Sequence, residues 1–156
     1  MKLVIHPLRE EDIPKLCELY RQLTGELPAT EAFAEKLRMI EENDAYELFC
    51  VYDENDELLA TATLTRCPDL TEDCRDYYNM ENFVVDEKVR GKGVGKFLLQ
   101  SLEEYIVQHN GRYMNFTSHH SRKDAHRFYK KNGYDPDYVK GFKKGFPAKE
   151  NGWLEK

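Results

Sequence analysis

A chain of 156 residues, 40% hydrophobic and 12% aromatic, has enough apolar material for one compact domain with a single core. The formal net charge of −6 argues against general nucleic-acid binding, which needs a basic footprint, and is compatible with a cationic substrate without requiring one. No stretch reaches the roughly 20 apolar residues of a membrane helix, and the run from Met1 to Pro7 is too short for a signal peptide, so a cytoplasmic protein is expected.

Residues 3–6 read as a short strand with Pro7 at its end. From Glu11 the apolar residues Ile13, Leu16, Cys17, Tyr20 and Leu23 keep helical spacing, with Glu10, Glu11 and Asp12 at the favourable end of the helix dipole. Gly25 closes that helix, and a second is predicted over residues 30–42 with Phe33, Leu37 and Ile40 on one face. The period then changes to two: residues 48–52 and 58–65 read as strands around a polar turn at 53–57. After an acidic loop at 69–76, a third strand is predicted over 77–86, and the three should form an antiparallel meander.

A glycine-rich turn leads into an amphipathic helix whose stripe is Val94, Phe97, Leu98, Leu102, Tyr105 and Ile106. Gly111 breaks it, residues 113–117 make a strand, and Ser121 reads as the N-cap of a last helix closed by Asn132-Gly133. On that helix Ala125, Phe128 and Tyr129 face inward, and His126, one step off that face, is expected to be exposed. Tyr134, Tyr138, Phe142 and Phe146 suggest final strands before a polar tail at 147–156. The four cysteines are irregularly spaced, and Cys17 and Cys50 read as core thiols. The expected fold is one α/β (α+β) domain over residues 1–146, built on a mixed sheet.

The most informative stretch runs from Val84 to Lys96, where a strand enters a glycine turn and a helix leaves it. Glycine lets successive N–H groups converge on one point and lets an anion approach, backed by the helix dipole. Arg90, Lys92 and Lys96 add positive charge, and a pyrophosphate is the natural guest. The dinucleotide pattern GxGxxG fails because Lys96 stands where the third glycine belongs. The Walker loop fails because Arg90 stands at its first glycine and Phe97 at its Ser/Thr.

Arg90-x-x-Gly93-x-Gly95 instead resembles the coenzyme A signature Q/R-x-x-G-x-G/A of the GNAT superfamily of N-acetyltransferases. A second segment, from Ala125 through Phe128-Tyr129 to Gly133-Tyr134, resembles the A-x-x-F-Y-x-x-x-G-F/Y segment of the same superfamily. The run from Arg122 to Tyr129 looks most similar to aminoalkylphosphonate N-acetyltransferases, although no dedicated phosphonate-binding Arg stands out. Many superfamily members carry an Asn where this chain has Arg122. The resemblance implies a GNAT-like mixed, mostly antiparallel central sheet flanked by about four helices.

It also implies acetyl-CoA as co-substrate, no metal, a small-molecule amine as acceptor and a homodimer. For the cofactor it implies Arg90, Gly91, Lys92, Gly93, Val94, Gly95 and Lys96 on the pyrophosphate, and backbone groups of Phe83, Val84 and Val85 along the pantetheine arm. An N–H of that arm segment would hold the oxyanion. Tyr129 matches the tyrosine beside the sulfur, which would protonate the leaving thiolate; its other reading is a core tyrosine.

Glu81 is the candidate base, sharing strand parity with Phe83 and Val85, with a solvated strand-face charge as the alternative. His119 and His120 read as loop histidines rather than metal ligands. Arg122, Lys123, Arg127, Lys130 and Lys131 make the last helix basic, either as a landing place for the nucleotide end of the cofactor or as a solvated face. A protein lysine or amino-terminal acetyltransferase, a non-catalytic acyl-CoA sensor and another nucleotide-binding module remain the alternative functions.

Overall fold

The structure, a computed structural model, describes residues 1–146; the predicted polar tail at 147–156 lies outside them. The described residues form a mixed α/β fold, with a five-stranded sheet and four α-helices. The strands are β1 (Val4–Ile5), β2 (Tyr46–Tyr52), β3 (Leu58–Cys67), β4 (Tyr77–Val85) and β5 (Met114–Asn115), paired in that order. All neighbours are antiparallel except β4 and β5, which run parallel. The helices are α1 (Ile13–Thr24), α2 (Thr30–Glu41), α3 (Val94–Gln108) and α4 (Lys123–Lys131). Chain contacts divide the molecule into a larger unit, Met1–Phe116, and a second beginning at Thr117.

In the larger unit the strand alternation feeds two cores. On one side Leu16 and Leu19 of α1 pack against Cys50, Tyr52, Leu58 and Val84, with Phe33 of α2 and Leu48 beside them. On the other side Tyr105 of α3 meets Phe49 edge-on at 5.5 Å and Tyr78 at 6.3 Å. Of the predicted α3 stripe, Val94, Leu98, Leu102 and Ile106 are buried, while Phe97 and Tyr105 are half-buried. Thr61 is tolerated in the sheet interior because its hydroxyl donates to the Phe49 carbonyl at 2.9 Å. Cys50 is a core thiol, which burial pushes up to about 11.

Glu10–Asp12 form a 3-10 turn ahead of α1 rather than its first turn. There Asp12 accepts from Arg9 at 2.8 Å and from the Tyr52 hydroxyl at 3.0 Å, tying the entry of α1 to the sheet. The strand expected at 113–117 is reduced to Met114–Asn115.

The second unit holds α4 and the segment after it. Its N-cap is Arg122, not Ser121; the Ser121 hydroxyl lies 2.7 Å from His119 Nδ1 instead. His126, expected to be exposed, is half-buried with Nε2 3.0 Å from the His119 carbonyl. The final strands are not formed among the described residues. Tyr138, Phe142 and Phe146 are 85%, 96% and 81% exposed in irregular backbone. Lys140 and Lys144 fall between them on the same strand parity, so no apolar face exists to be buried.

Candidate active site

The glycine turn is built from its strand outward. Val84 is buried against α1, and Asp86, the first residue past β4, is buried as well. One Asp86 oxygen accepts from the Lys88 N–H at 3.0 Å, capping the short 3-10 turn Glu87–Val89; the other is ion-paired to Lys15 of α1. Burial pushes the Asp86 carboxyl up, but Lys15 and the Lys88 N–H outweigh it and hold the group below its ordinary range. Gln22 of α1 accepts from the Glu87 N–H at 2.9 Å, so α1 fixes the turn at two places.

Beyond this anchor Arg90 Nε donates to the Val85 carbonyl at 3.1 Å, closing the turn back on the strand end. Gly91 and Gly93 take φ of +76° and +90°, values that residues bearing Cβ resist. A Cβ at either would meet no protein atom within 4 Å, so the space over both is open. Gly93 is the N-cap of α3, and its carbonyl accepts the first intrahelical bond, from Phe97 at 3.0 Å. The N–H groups of Val94, Gly95 and Lys96 therefore precede any intrahelical acceptor and carry the positive end of a 15-residue helix. Arg90, Lys92 and Lys96 are exposed around them, while the Val94 side chain belongs to the core. The N–H groups of the helix N-terminus, open space and three cations fit a pyrophosphate.

The strand feeding the turn is irregular. Asn82 has φ of +54°, and the ladder with β3 passes from Thr63↔Glu81 to Thr61↔Val84, so β4 carries one extra residue there. The bulge corrects the expected parity. Glu81 shares a face with Val84 and Thr63, not with Val85, which pairs with Ala60 on the opposite side. Glu81 is exposed and accepts from the Asn79 amide at 3.0 Å. On the other edge the parallel ladder to β5 covers only Tyr78 and Asn79, ending before Phe83, Val84 and Val85.

In the second unit Tyr129 is half-buried, its ring edge-on to Phe128 at 5.2 Å and to Tyr134 at 6.3 Å. Burial pushes its phenol up to about 12, against the opposing charge of Arg122, so it holds its proton at neutral pH. Arg122, Lys123, Arg127, Lys130 and Lys131 are all exposed, with Arg127 paired to Asp124. The His119 and His120 rings lie 4.3 Å apart, and no group of three His, Cys, Asp or Glu among the described residues is arranged to hold a metal ion.

Sequence reasoning missed two features. One is the Lys15–Asp86 pair, whose partners stand 71 residues apart. The other is a cleft of about 390 Å³ in the larger unit, walled by α1, the α1–α2 connection, α2, Leu48 and Asn82. The sequence signals for the cleft are the Phe33, Leu37 and Ile40 face of α2 and the apolar Leu27-Pro28 pair before it. No helix among the described residues is long and apolar enough to cross a membrane.

The backbone superposes on a transcriptional regulator from Bacillus halodurans C-125 with a TM-score of 0.84 at 20% identity, covering 93% of this chain and 100% of that one. A putative acetyltransferase from Agrobacterium tumefaciens str. C58 gives 0.75 at 27% identity over 96% and 100%. The glucosamine-6-phosphate N-acetyltransferase of Arabidopsis thaliana gives 0.74 at 23% identity over 92% and 99%. None of the curated proteins compared matches. The sequence model of the acetyltransferase (GNAT) family matches residues 13–134, spanning both the glycine turn and α4. With that match over most of its length, the chain belongs to the acetyltransferase (GNAT) family, which uses acetyl-CoA as its acetyl donor.

Proposed function

We propose that this protein is a cytoplasmic N-acetyltransferase that moves the acetyl group of acetyl-CoA onto the primary amine of a small molecule, by direct attack in a ternary complex. The observation that carries the reading is the turn between β4 and α3, with the N–H groups of the helix N-terminus, open space over Gly91 and Gly93, and exposed Arg90, Lys92 and Lys96. In this reading residues 90–96 hold the cofactor pyrophosphate. Phe83, Val84 and Val85 align the pantetheine arm through backbone groups, a role supported by the early end of the β4–β5 ladder. Residues 1–146 act as one domain.

Amine attack on a thioester requires that the ammonium lose a proton and favours protonation of the departing thiolate. Glu81, exposed beside the bulge, takes the first proton directly or through water. Tyr129, protonated at neutral pH, supplies the second. The thioester is already activated, so the protein contributes mainly position and electrostatics. A small-molecule acceptor is supported by the fold shared with a glucosamine-6-phosphate N-acetyltransferase.

The fold is equally shared with a transcriptional regulator, which makes a non-catalytic acyl-CoA sensor the second reading. Thiol release from acetyl-CoA on adding amines, against the same assay with peptides, separates the possibilities. Turnover with small amines that falls in Tyr129→Phe supports the proposal. Acetyl-CoA binding without turnover on any amine or peptide leaves the sensor, and turnover on peptides alone makes the acceptor a protein.

A further inference from the structure

The cleft of the larger unit speaks to the body of the acceptor. α2 is amphipathic yet has no buried residue; its stripe of Phe33, Leu37 and Ile40 is only half-buried and faces the cleft. Leu23 of α1, Leu48 of β2 and Leu27 of the connection extend the apolar wall, and Leu27 is 63% exposed. Besides the Tyr20 phenol, the charged residues in the lining are Glu26 and Lys36 alone. A space of about 390 Å³ lies within the range of small-ligand sites, and apolar walls left in contact with water favour an apolar guest.

The cleft meets the strand of the proposed thioester site at one point. Its only β4 residue is Asn82, the bulge residue, which immediately precedes the segment 83–85. An acceptor whose body fills the cleft would present its amine at that strand. Charge complementarity then restricts the body. A phosphorylated sugar or an aminophosphonate carries a dianion that needs several cations, and the wall offers Lys36 alone. A polycationic aminosugar needs several carboxylates, and Glu26 is the one the wall offers, beside the neutral polar groups of Tyr20, Thr24 and Asn82.

Resting on the reading of this chain as an amine acetyltransferase, we propose that the cleft between α1, α2 and Asn82 selects primary amines carried on an uncharged apolar body, an arylalkyl or alkyl amine. The test is thiol release by the purified full-length protein with acetyl-CoA and five amines: 2-phenylethylamine, n-hexylamine, glucosamine 6-phosphate, 2-aminoethylphosphonate and kanamycin. The two apolar amines should exceed the other three in kcat/KM by at least about tenfold, the discrimination expected when one aryl or alkyl group is buried or left in water. Leu27→Asp, at an exposed position that folding does not need, should raise KM for 2-phenylethylamine by about tenfold while the rise in Tm on adding acetyl-CoA is unchanged.

Preference for a phosphorylated, phosphonate or polycationic amine overturns the substrate class and leaves the acetyltransferase reading standing. An unchanged KM in Leu27→Asp overturns the placement of the acceptor in the cleft. Thiol release with none of the five, although acetyl-CoA raises Tm, overturns this inference, and extending the screen to further amines and peptides decides the reading beneath it.

Discussion

Replacing Gly93 with Ala tests the cofactor turn, and Gly25→Ala supplies a matched control. The two glycines have φ of +90° and +91°, and at neither would a Cβ meet a protein atom within 4 Å. Clash therefore drops out, and each variant carries only the strain of an L-residue in the left-handed region, about 1–2 kcal/mol. For a domain of this size that lowers Tm by about 2–8 °C in both. The variants should differ in what acetyl-CoA does. At about a hundred times its Kd the ligand adds roughly 2.7 kcal/mol to the wild type and to Gly25→Ala. In Gly93→Ala the methyl group occupies the open space where the pyrophosphate is proposed to sit. A tenfold loss of affinity would reduce the gain at the same concentration to about 1.4 kcal/mol. Thermal unfolding of the three proteins, with and without acetyl-CoA, reads both effects. An equal ligand shift in all three refutes the assignment of the turn, whatever the change in basal Tm.

Four further outcomes are expected. Lys15→Met strands the buried Asp86 carboxylate and should cost about 3 kcal/mol in denaturant unfolding, most of it regained in Lys15→Met/Asp86→Asn. Because the Asp86 carboxyl is held below its ordinary value of 3.8, its contribution is complete above that value and fades as pH falls through the lower folded value; Asp86→Asn should flatten that acid limb. Tyr129→Phe should lower kcat by about 10²-fold or more with acetyl-CoA binding retained, and an unchanged kcat would remove the phenol from the reaction. Glu81→Gln should lower kcat/KM for the amine by a similar factor, and full activity would mean that the amine loses its proton elsewhere.

What could be read in the sequence was local. The glycine turn, the α3 stripe and the period-two strands depend on neighbours within a few residues, and the structure has them where those patterns put them. The face of Glu81 was misread because parity assumes an unbroken strand, and Asn82 breaks it with a single positive φ. Ser121 has the composition of an N-cap, but its hydroxyl meets His119 and the helix begins one residue later. Tyr138, Phe142 and Phe146 look like strand residues only if the lysines between them are ignored. The Lys15–Asp86 pair and the cleft join segments far apart in the chain, which no short-range pattern links.

The shallow seating of α2 separates two kinds of evolutionary change. A helix without a buried residue contributes little to the core, so substitutions along Phe33, Leu37 and Ile40 cost less stability than those at Leu16 or Leu98. The turn at 90–96 stands on buried Asp86 and on the buried Val94, Leu98, Leu102 and Ile106 of α3, where change is expensive. A lineage can therefore rewrite the wall of the cleft while the turn at 90–96 stays fixed; with the cleft as the proposed acceptor site, new preferences can arise without passing through an unfolded intermediate sequence.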